Sequence, residues 1–174
     1  MTENNQLGFK NISIENWSEK DPIWDAIYHP APDPLLGWMA DFLAVELKPE
    51  VPLDIRRLFE VARGTFVYGL MFYPLMTIGA EQISRVSEAA VSWMCFLLNS
   101  PQQHSNFANK IKWLVNESII SSNDSSRWQN LRHLRNESSH PKFPNILPPA
   151  MCLQTMEEVA ELINNLFSVP PDQI

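Results

Sequence analysis

The chain of 174 residues is poor in cysteine, glycine and positive charge. Its two cysteines, Cys95 and Cys152, are too few for the disulfide framework of a small secreted domain, so the composition favours a reducing compartment. None of the five glycines lies in a pattern that cradles a phosphate. Thirteen Lys and Arg residues against twenty Asp and Glu residues give a net charge of −7, which excludes a protein that grips nucleic acid through a coat of positive charge. A small local basic site is still compatible with this charge.

The chain also lacks a long, purely apolar run. One long stretch without charge, residues 64–80, contains three glycines and Pro74, whereas a helix that spans a bilayer needs about 20 predominantly apolar residues. We therefore expect a buried core segment there and no association with a membrane. Residues 1–10 are polar and lack the basic and apolar regions of a signal peptide. A cytoplasmic protein is the expectation.

Fourteen prolines divide the sequence, and the segments between them have helical periodicity. We therefore expect an all-α fold, a bundle of five or six helices. Residues 1–50 would form an N-terminal arm, anchored by Trp17, Trp24 and Tyr28, together with the first helix, and residues 51–170 would form the bundle. The helices are expected from Pro34, at 53–70 and 77–99, around 107–115, at 126–139 after a loop at 121–126, and from Thr155 or Pro149 onward.

Several kinds of active site have no counterpart in the sequence. No His-Glu-x-x-His or Cys-x-x-Cys pair offers ligands to a metal ion. His133 and His140 would lie roughly 10 Å apart along a helix, which is too far for them to share one ion. Cys95 and Cys152 are expected to be inert packing residues. We therefore expect neither a metal ion nor a cofactor.

The fifth predicted helix carries the most informative residues. At about 100° per residue, Trp128, Leu131 and Leu134 define its inward face, and Arg135 falls within the same arc. A guanidinium directed towards a core is costly unless something pairs with it. Arg135 would therefore meet a carboxylate, line a cleft or lie at a subunit interface.

His140 follows Arg135 closely and directly precedes Pro141. In a continuous helix the two side chains would point about 140° apart. Because proline disfavours continuing the helix, the last turn can unwind and bring the imidazole towards the guanidinium, where it could donate a proton near neutral pH. Between residues 127 and 142, four basic residues stand against one acidic residue, a local charge of +3 that would attract a phosphate-bearing ligand.

The motif Arg135-Asn136-x-x-x-His140, late in a helix and followed by proline and one further helix, resembles the Arg-(four to six residues)-His motif of HEPN domains. The helical pattern of residues 53–167 is also similar to an HEPN bundle. The resemblance implies a metal-independent ribonuclease that works as a homodimer, with two motifs facing one cleft. Arg135 would bind and polarise the scissile phosphate, Asn136 would orient the histidine or the phosphate, and His140 would act as general acid or base while a ribose 2′-hydroxyl attacks.

The same resemblance leaves a second function open, because some HEPN domains are non-catalytic modules for dimerisation or ligand binding. Some HEPN families carry a tyrosine two residues after the histidine that a partner nucleotidyltransferase modifies. The corresponding residue here is Lys142, which argues against that form of regulation. The expected partners are a second copy of the chain, an RNA substrate, and an antitoxin or regulatory protein, as in toxin–antitoxin and defence systems.

The third predicted helix carries a polar stripe at helical spacing, formed by Thr77, Glu81, Arg85, Glu88 and Ser92. Glu81 and Arg85 are four residues apart, which is a favourable spacing for an ion pair on a solvated helix face. The alternative is that Glu81 or Arg85 approaches Arg135 and His140 from a neighbouring helix.

Overall fold

The structure, a computed structural model, describes residues 8–27, 34–102, 105–139 and 147–168. These residues form seven helices and no strand, so the expected all-α bundle is confirmed. The first helix has only five residues, and the six longer helices correspond to those predicted from the sequence. The helices are α1 (Ile23–Ile27), α2 (Pro34–Ala44), α3 (Leu53–Tyr68), α4 (Leu75–Leu97), α5 (Phe107–Asn116), α6 (Ser122–Ser139) and α7 (Pro149–Leu166).

The start of α6 differs from the prediction. The sequence predicts a loop at 121–126, but the helix begins at Ser122. The hydroxyl of Ser121 accepts the backbone N–H of Asp124 at 3.1 Å and donates to the Asp124 carboxylate at 3.0 Å. Such a cap satisfies a donor at the helix start that would otherwise lack a partner. The cluster of small polar residues therefore begins the helix rather than interrupting the chain.

The other helix bounds agree with the prediction to within a few residues. α4 spans 75–97 rather than 77–99, and α7 begins at Pro149, the earlier of the two expected starts. The uncharged run 64–80 is divided among the end of α3, a turn and the start of α4. In the described ranges, no helix combines the length and the hydropathy that crossing a membrane requires.

α4 is the central helix of the bundle, because it contacts α3, α5, α6 and α7. Helical spacing in the sequence predicts an apolar stripe along this helix that ends at Leu97, yet Leu97 is 36% exposed. Gly79 lies where α4 passes close to α3, and a Cβ at this position would come within 2.6 Å of the Phe66 ring. The rest of the predicted apolar stripe of α4 is buried, namely Ile83, Val86, Ala90 and Met94.

The segment that precedes α2 is fixed to the bundle through Asp21. Its buried carboxylate accepts the backbone N–H groups of Lys10 at 3.0 Å and Ile23 at 3.2 Å, both within the segment. It also accepts the N–H of Tyr73, between α3 and α4, at 2.9 Å. Because buried carboxylates are costly without hydrogen bonds, these contacts hold the segment in one position on the bundle.

The predicted aromatic anchors of the N-terminal arm have different outcomes. Trp24 is buried, and its indole N–H donates to the carbonyl of Gly69 at 3.2 Å, so its anchoring role is confirmed. Trp17 is 67% exposed, so its predicted anchoring role is wrong. Tyr28 lies outside the described residues.

Candidate functional site at the end of α6

Arg135 on α6 lies against Glu88 on α4. Its Nε donates to Glu88 Oε2 at 3.1 Å, and its Nη2 lies 3.1 Å from the same oxygen. The two side chains are 37% and 31% exposed, so the pair lies at the edge of the α4–α6 contact. The sequence leaves three surroundings open for Arg135: a carboxylate, a cleft or a subunit interface. The structure shows a carboxylate, at the border with solvent.

Glu88 occupies only one edge of the Arg135 guanidinium. Nη1, on the other edge, donates to Oδ1 of Asn136 at 3.4 Å, and the Asn136 side chain is exposed. A guanidinium carries five N–H donors in a planar fork that matches two oxygens of a phosphate. Among the described residues, one N–H of Nη1 and one N–H of Nη2 therefore have no protein partner. The first two residues of the predicted site lie side by side, with hydrogen-bonding capacity directed towards solvent.

His140, the third predicted site residue, lies outside the described residues, so its role stays a prediction. α6 itself continues through Ser139, the residue before it. The other histidine of this region, His133, is exposed, and its Nε2 lies 3.1 Å from Nη2 of Arg132. His133 is therefore a surface residue.

The polar stripe of α4 faces other parts of the chain. The hydroxyl of Thr77 accepts the backbone N–H of Leu147 at 3.3 Å, and the hydroxyl of Ser92 accepts from Nζ of Lys110, on α5, at 2.9 Å. Glu88 lies between these two positions and contacts α6. The interpretation of the stripe as a solvated face is therefore wrong at these three positions.

Glu88 is the site residue that sequence reasoning missed. The alternative interpretation of the stripe is that Glu81 or Arg85 approaches α6, but the contact with Arg135 comes from the next acidic residue along the same face. Within the described ranges, no ion pair joins Glu81 and Arg85, and Arg85 is exposed. The stripe identified the correct face of α4. How far α6 is shifted along the axis of α4 determines which residue of that face contacts Arg135.

The first basic residue of the stretch 127–142 is Arg127, and nearby carboxylates compensate its positive charge. Arg127 donates to the carboxylates of Asp124, Glu158 and Glu161 at distances between 2.6 and 3.0 Å. Hydrogen bonds to Glu158 and Glu161 raise the pKa of Arg127 above its ordinary value, and the hydrogen bonds and charge of Arg127 lower the pKa of Glu161. Since Glu158 and Glu161 belong to α7, carboxylates outside the counted residues compensate the positive charge at this end of the helix.

Both cysteines are buried and free, as expected of packing residues. Burial raises the pKa of the Cys152 thiol to about 12 and also raises that of Cys95. Because the thiolate is the reactive form, neither side chain is an activated nucleophile. In the part of the chain that the structure describes, no three His, Cys, Asp or Glu side chains are grouped so that they could hold a metal ion.

Comparisons with known proteins add no further assignment. The chain matches no protein-family model, no curated protein and no solved structure. The resemblance to HEPN domains therefore depends on the motif that ends α6 and on the helical pattern around it.

Proposed function

We propose that the end of α6 binds a phosphodiester of RNA and that the chain is a metal-independent endoribonuclease acting as a homodimer. Arg135 binds the scissile phosphate, Asn136 orients it, and His140 transfers the proton. The observation that supports this proposal is the partly occupied guanidinium of Arg135, which has Glu88 on one edge, Asn136 on one donor of Nη1, and further N–H donors without a partner among the described residues. An oriented cation with free donors at the border with solvent is suited to holding an anion.

The ion pair with Glu88 orients Arg135 without preventing phosphate binding. More than a third of the Arg135 side chain is exposed, and ion pairs of this kind contribute about 0.2 to 1 kcal/mol. A phosphate offers two oxygens to the remaining N–H groups in a charge-assisted contact, which is stronger than a neutral hydrogen bond. Glu88 also restricts a long side chain before the ligand arrives, which lowers the entropy lost on binding.

The chemistry requires two proton transfers. The ribose 2′-hydroxyl loses a proton as it attacks phosphorus, and the 5′-oxygen gains one as the P–O bond breaks, which leaves a 2′,3′-cyclic phosphate and a 5′-hydroxyl. Arg135 stabilises the charge that develops on the non-bridging oxygens. The motif supplies one imidazole per chain, so a homodimer with converging motifs supplies both the base and the acid.

The test is cleavage of single-stranded RNA and tRNA by the purified chain in the presence of EDTA. We expect products that end in 2′,3′-cyclic phosphate, and a loss of cleavage of about 100-fold or more in Arg135→Ala and in His140→Ala with unchanged helicity. His133→Ala and Arg57→Ala remove the same side-chain types at exposed positions and should retain cleavage. Intact RNA after prolonged incubation with the dimeric wild-type protein would contradict the proposal.

A second candidate is a non-catalytic helical module for dimerisation or ligand binding. Two observations favour it: the Glu88–Arg135 pair ties α4 to α6, and Arg127 is surrounded by carboxylates in a chain of net charge −7. Thermal melting separates the two candidates. A large loss of stability in Arg135→Ala, with no RNA cleavage by the wild type, would favour the module.

A further inference from the structure

One face of α4 reaches solvent although four helices surround this element. The face lies within an arc of about 80° of the helix, and Arg85, near the middle of its length and at one edge of the arc, is exposed. Its two ends carry large apolar side chains that are 51% and 64% exposed, Ile78 and Phe96. Large apolar groups in such a pattern are typical of an interaction surface. We call this surface the outer face of α4; its residues are Ile78, Gln82, Arg85, Ala89, Trp93 and Phe96.

We propose that the outer face of α4 forms the homodimer contact, with α4 packed antiparallel on α4 of a second copy. The inference rests on the homodimer of the proposed function and names the surface that forms it. The face is self-complementary about a two-fold axis near position 87. In this register, Ile78 lies opposite Phe96 of the partner subunit, and Arg85 lies opposite Ala89 of the partner subunit. Ile78 and Phe96 then form an apolar pair at each end of the contact. Near its middle, the long side chain of Arg85 lies against the small side chain of Ala89.

Charge complementarity supports the same register. Arg85 forms no ion pair with any residue that the structure describes. Next to Ala89 of the partner subunit lies the partner's Glu88, on the same flank of α4 as Arg85. Within one chain, Oε2 of Glu88 contacts Arg135, and Oε1 has no partner among the described residues. Arg85 therefore reaches the open oxygen of the carboxylate that orients the other subunit's phosphate-binding arginine.

The geometry of a two-fold axis also places the two candidate sites together. The two-fold axis of an antiparallel helix pair is perpendicular to the plane that contains the two helices. Rotation about this axis leaves corresponding flanks of the two helices on the same side of that plane. α6 packs on one flank of α4, through Glu88 and Arg135. Both Arg135 side chains then lie on one surface of the dimer, beside a seam in which the helix axes are about 8 to 10 Å apart.

The first test measures the oligomeric state of the full chain by light scattering after size exclusion and by sedimentation. We expect a wild-type dimer at micromolar concentration and dimerisation weakened roughly 100-fold or more in Ile78→Glu/Phe96→Glu. Ile14→Glu is the matched control, because Ile14 is 87% exposed in the N-terminal segment, and it should remain dimeric. A monomeric wild type, or a dimer that the double variant leaves intact, would overturn the proposal. Circular dichroism verifies that each variant is folded.

The second test measures the register by disulfide cross-linking. A mixture of Ile78→Cys and Phe96→Cys chains should cross-link between subunits, whereas neither variant should do so alone. Equivalent positions are 18 residues apart in this register, about 27 Å along the helix, and a disulfide needs Cα atoms within about 7 Å. The native Cys95 and Cys152 are buried and should not react. No cross-link in the mixture, or a cross-link in either variant alone, would overturn the antiparallel arrangement.

The two proposals can fail separately. A dimer that cross-links in the mixture but leaves RNA intact keeps the outer face of α4 as an interface and rejects the ribonuclease. RNA cleavage by a dimer that the double variant does not weaken keeps the ribonuclease and rejects this interface.

Discussion

The two ends of α6 carry the same side chain in different surroundings. Arg127, near the first end, has contacts to three carboxylates through all three of its nitrogens, and two of these carboxylates come from α7. Arg135, near the other end, has one carboxylate from α4 on one edge. The first arginine is saturated and joins two helices. The second retains donors for a ligand, although the sequence around it is no more basic.

This comparison shows that availability, rather than the number of arginines, defines a candidate anion site. A guanidinium with carboxylates around its whole edge has no donor left for a phosphate. At the exposed end of α6, a single ion pair worth about 0.2 to 1 kcal/mol orients the side chain and leaves donors open. The predictions below separate the structural end of the helix from the candidate site.

The largest stability effect is expected from a change that touches neither arginine. Gly79→Ala places a Cβ 2.6 Å from the Phe66 ring, at the close approach of α3 and α4. Because the ring is buried, we expect a loss of about 1 to 3 kcal/mol in the free energy of unfolding, measured by denaturant titration. RNA cleavage per folded molecule should not change, which separates loss of stability from loss of the site. A variant as stable as the wild type would show that the bundle can relax at this crossing.

The next largest effect is expected from removing the saturated arginine. Arg127→Ala leaves three carboxylates facing one another without their cation, and the side chain is 27% exposed, so we expect a loss of about 1 to 2 kcal/mol. Thermal melting should show a fall of about 2 to 4 °C for each kcal/mol. Arg57→Ala, which removes an exposed pair with Asp54 on α3, is the control and should change stability by less than about 0.5 kcal/mol. Melting of Arg127→Ala at the wild-type temperature would remove the distinction between the two ends of α6.

The same end of the helix predicts an acid-dependent part of the stability. The hydrogen bonds and charge of Arg127 lower the pKa of Glu161 in the folded chain from its ordinary value of 4.5. The contribution of this carboxylate is therefore complete above about pH 4.5 and is lost as the pH falls through the lower folded-state pKa. Melting temperatures measured against pH should fall in that window, and less steeply in Arg127→Ala. Parallel profiles for the two proteins would contradict the assignment.

The smallest effect is expected from the carboxylate of the candidate site. Glu88→Gln keeps an oxygen that can accept from Nε of Arg135 but removes the charge, so stability should change by less than about 1 kcal/mol. Removing a negative charge beside the bound phosphate should lower KM for RNA by about twofold, measured with steady-state cleavage. Glu117→Gln, at an exposed position after α5, is the control. A fall in stability of several kcal/mol would favour a structural role for the pair and the non-catalytic module.

Helical periodicity predicted most of the fold, and its errors have local causes. Leu97 and Leu134 lie on predicted apolar faces, yet they are 36% and 39% exposed. Periodicity reports which residues share a face and not how far the neighbouring helix extends. The loop predicted at 121–126 is wrong for a different reason: small polar residues favour both turns and helix caps, and here Ser121 caps α6.

The candidate site was predictable in part. The position of Arg135 on an apolar arc predicted that it needs a partner, and the structure provides Glu88. The identity of that partner was not predictable, because the two residues are 47 positions apart and meet through the packing of two helices. The charge of the region was misjudged for the same reason, since the count along the sequence omitted Glu158 and Glu161.

The sequence by itself determined the helices, their approximate ends and the face on which Arg135 lies, because periodicity, proline and capping act over a few residues. Only the tertiary structure decided that Arg127 is surrounded by carboxylates while Arg135 keeps open donors. The reason is physical: the carboxylates come from other helices, and the packing of the shared core sets which of them reach each guanidinium.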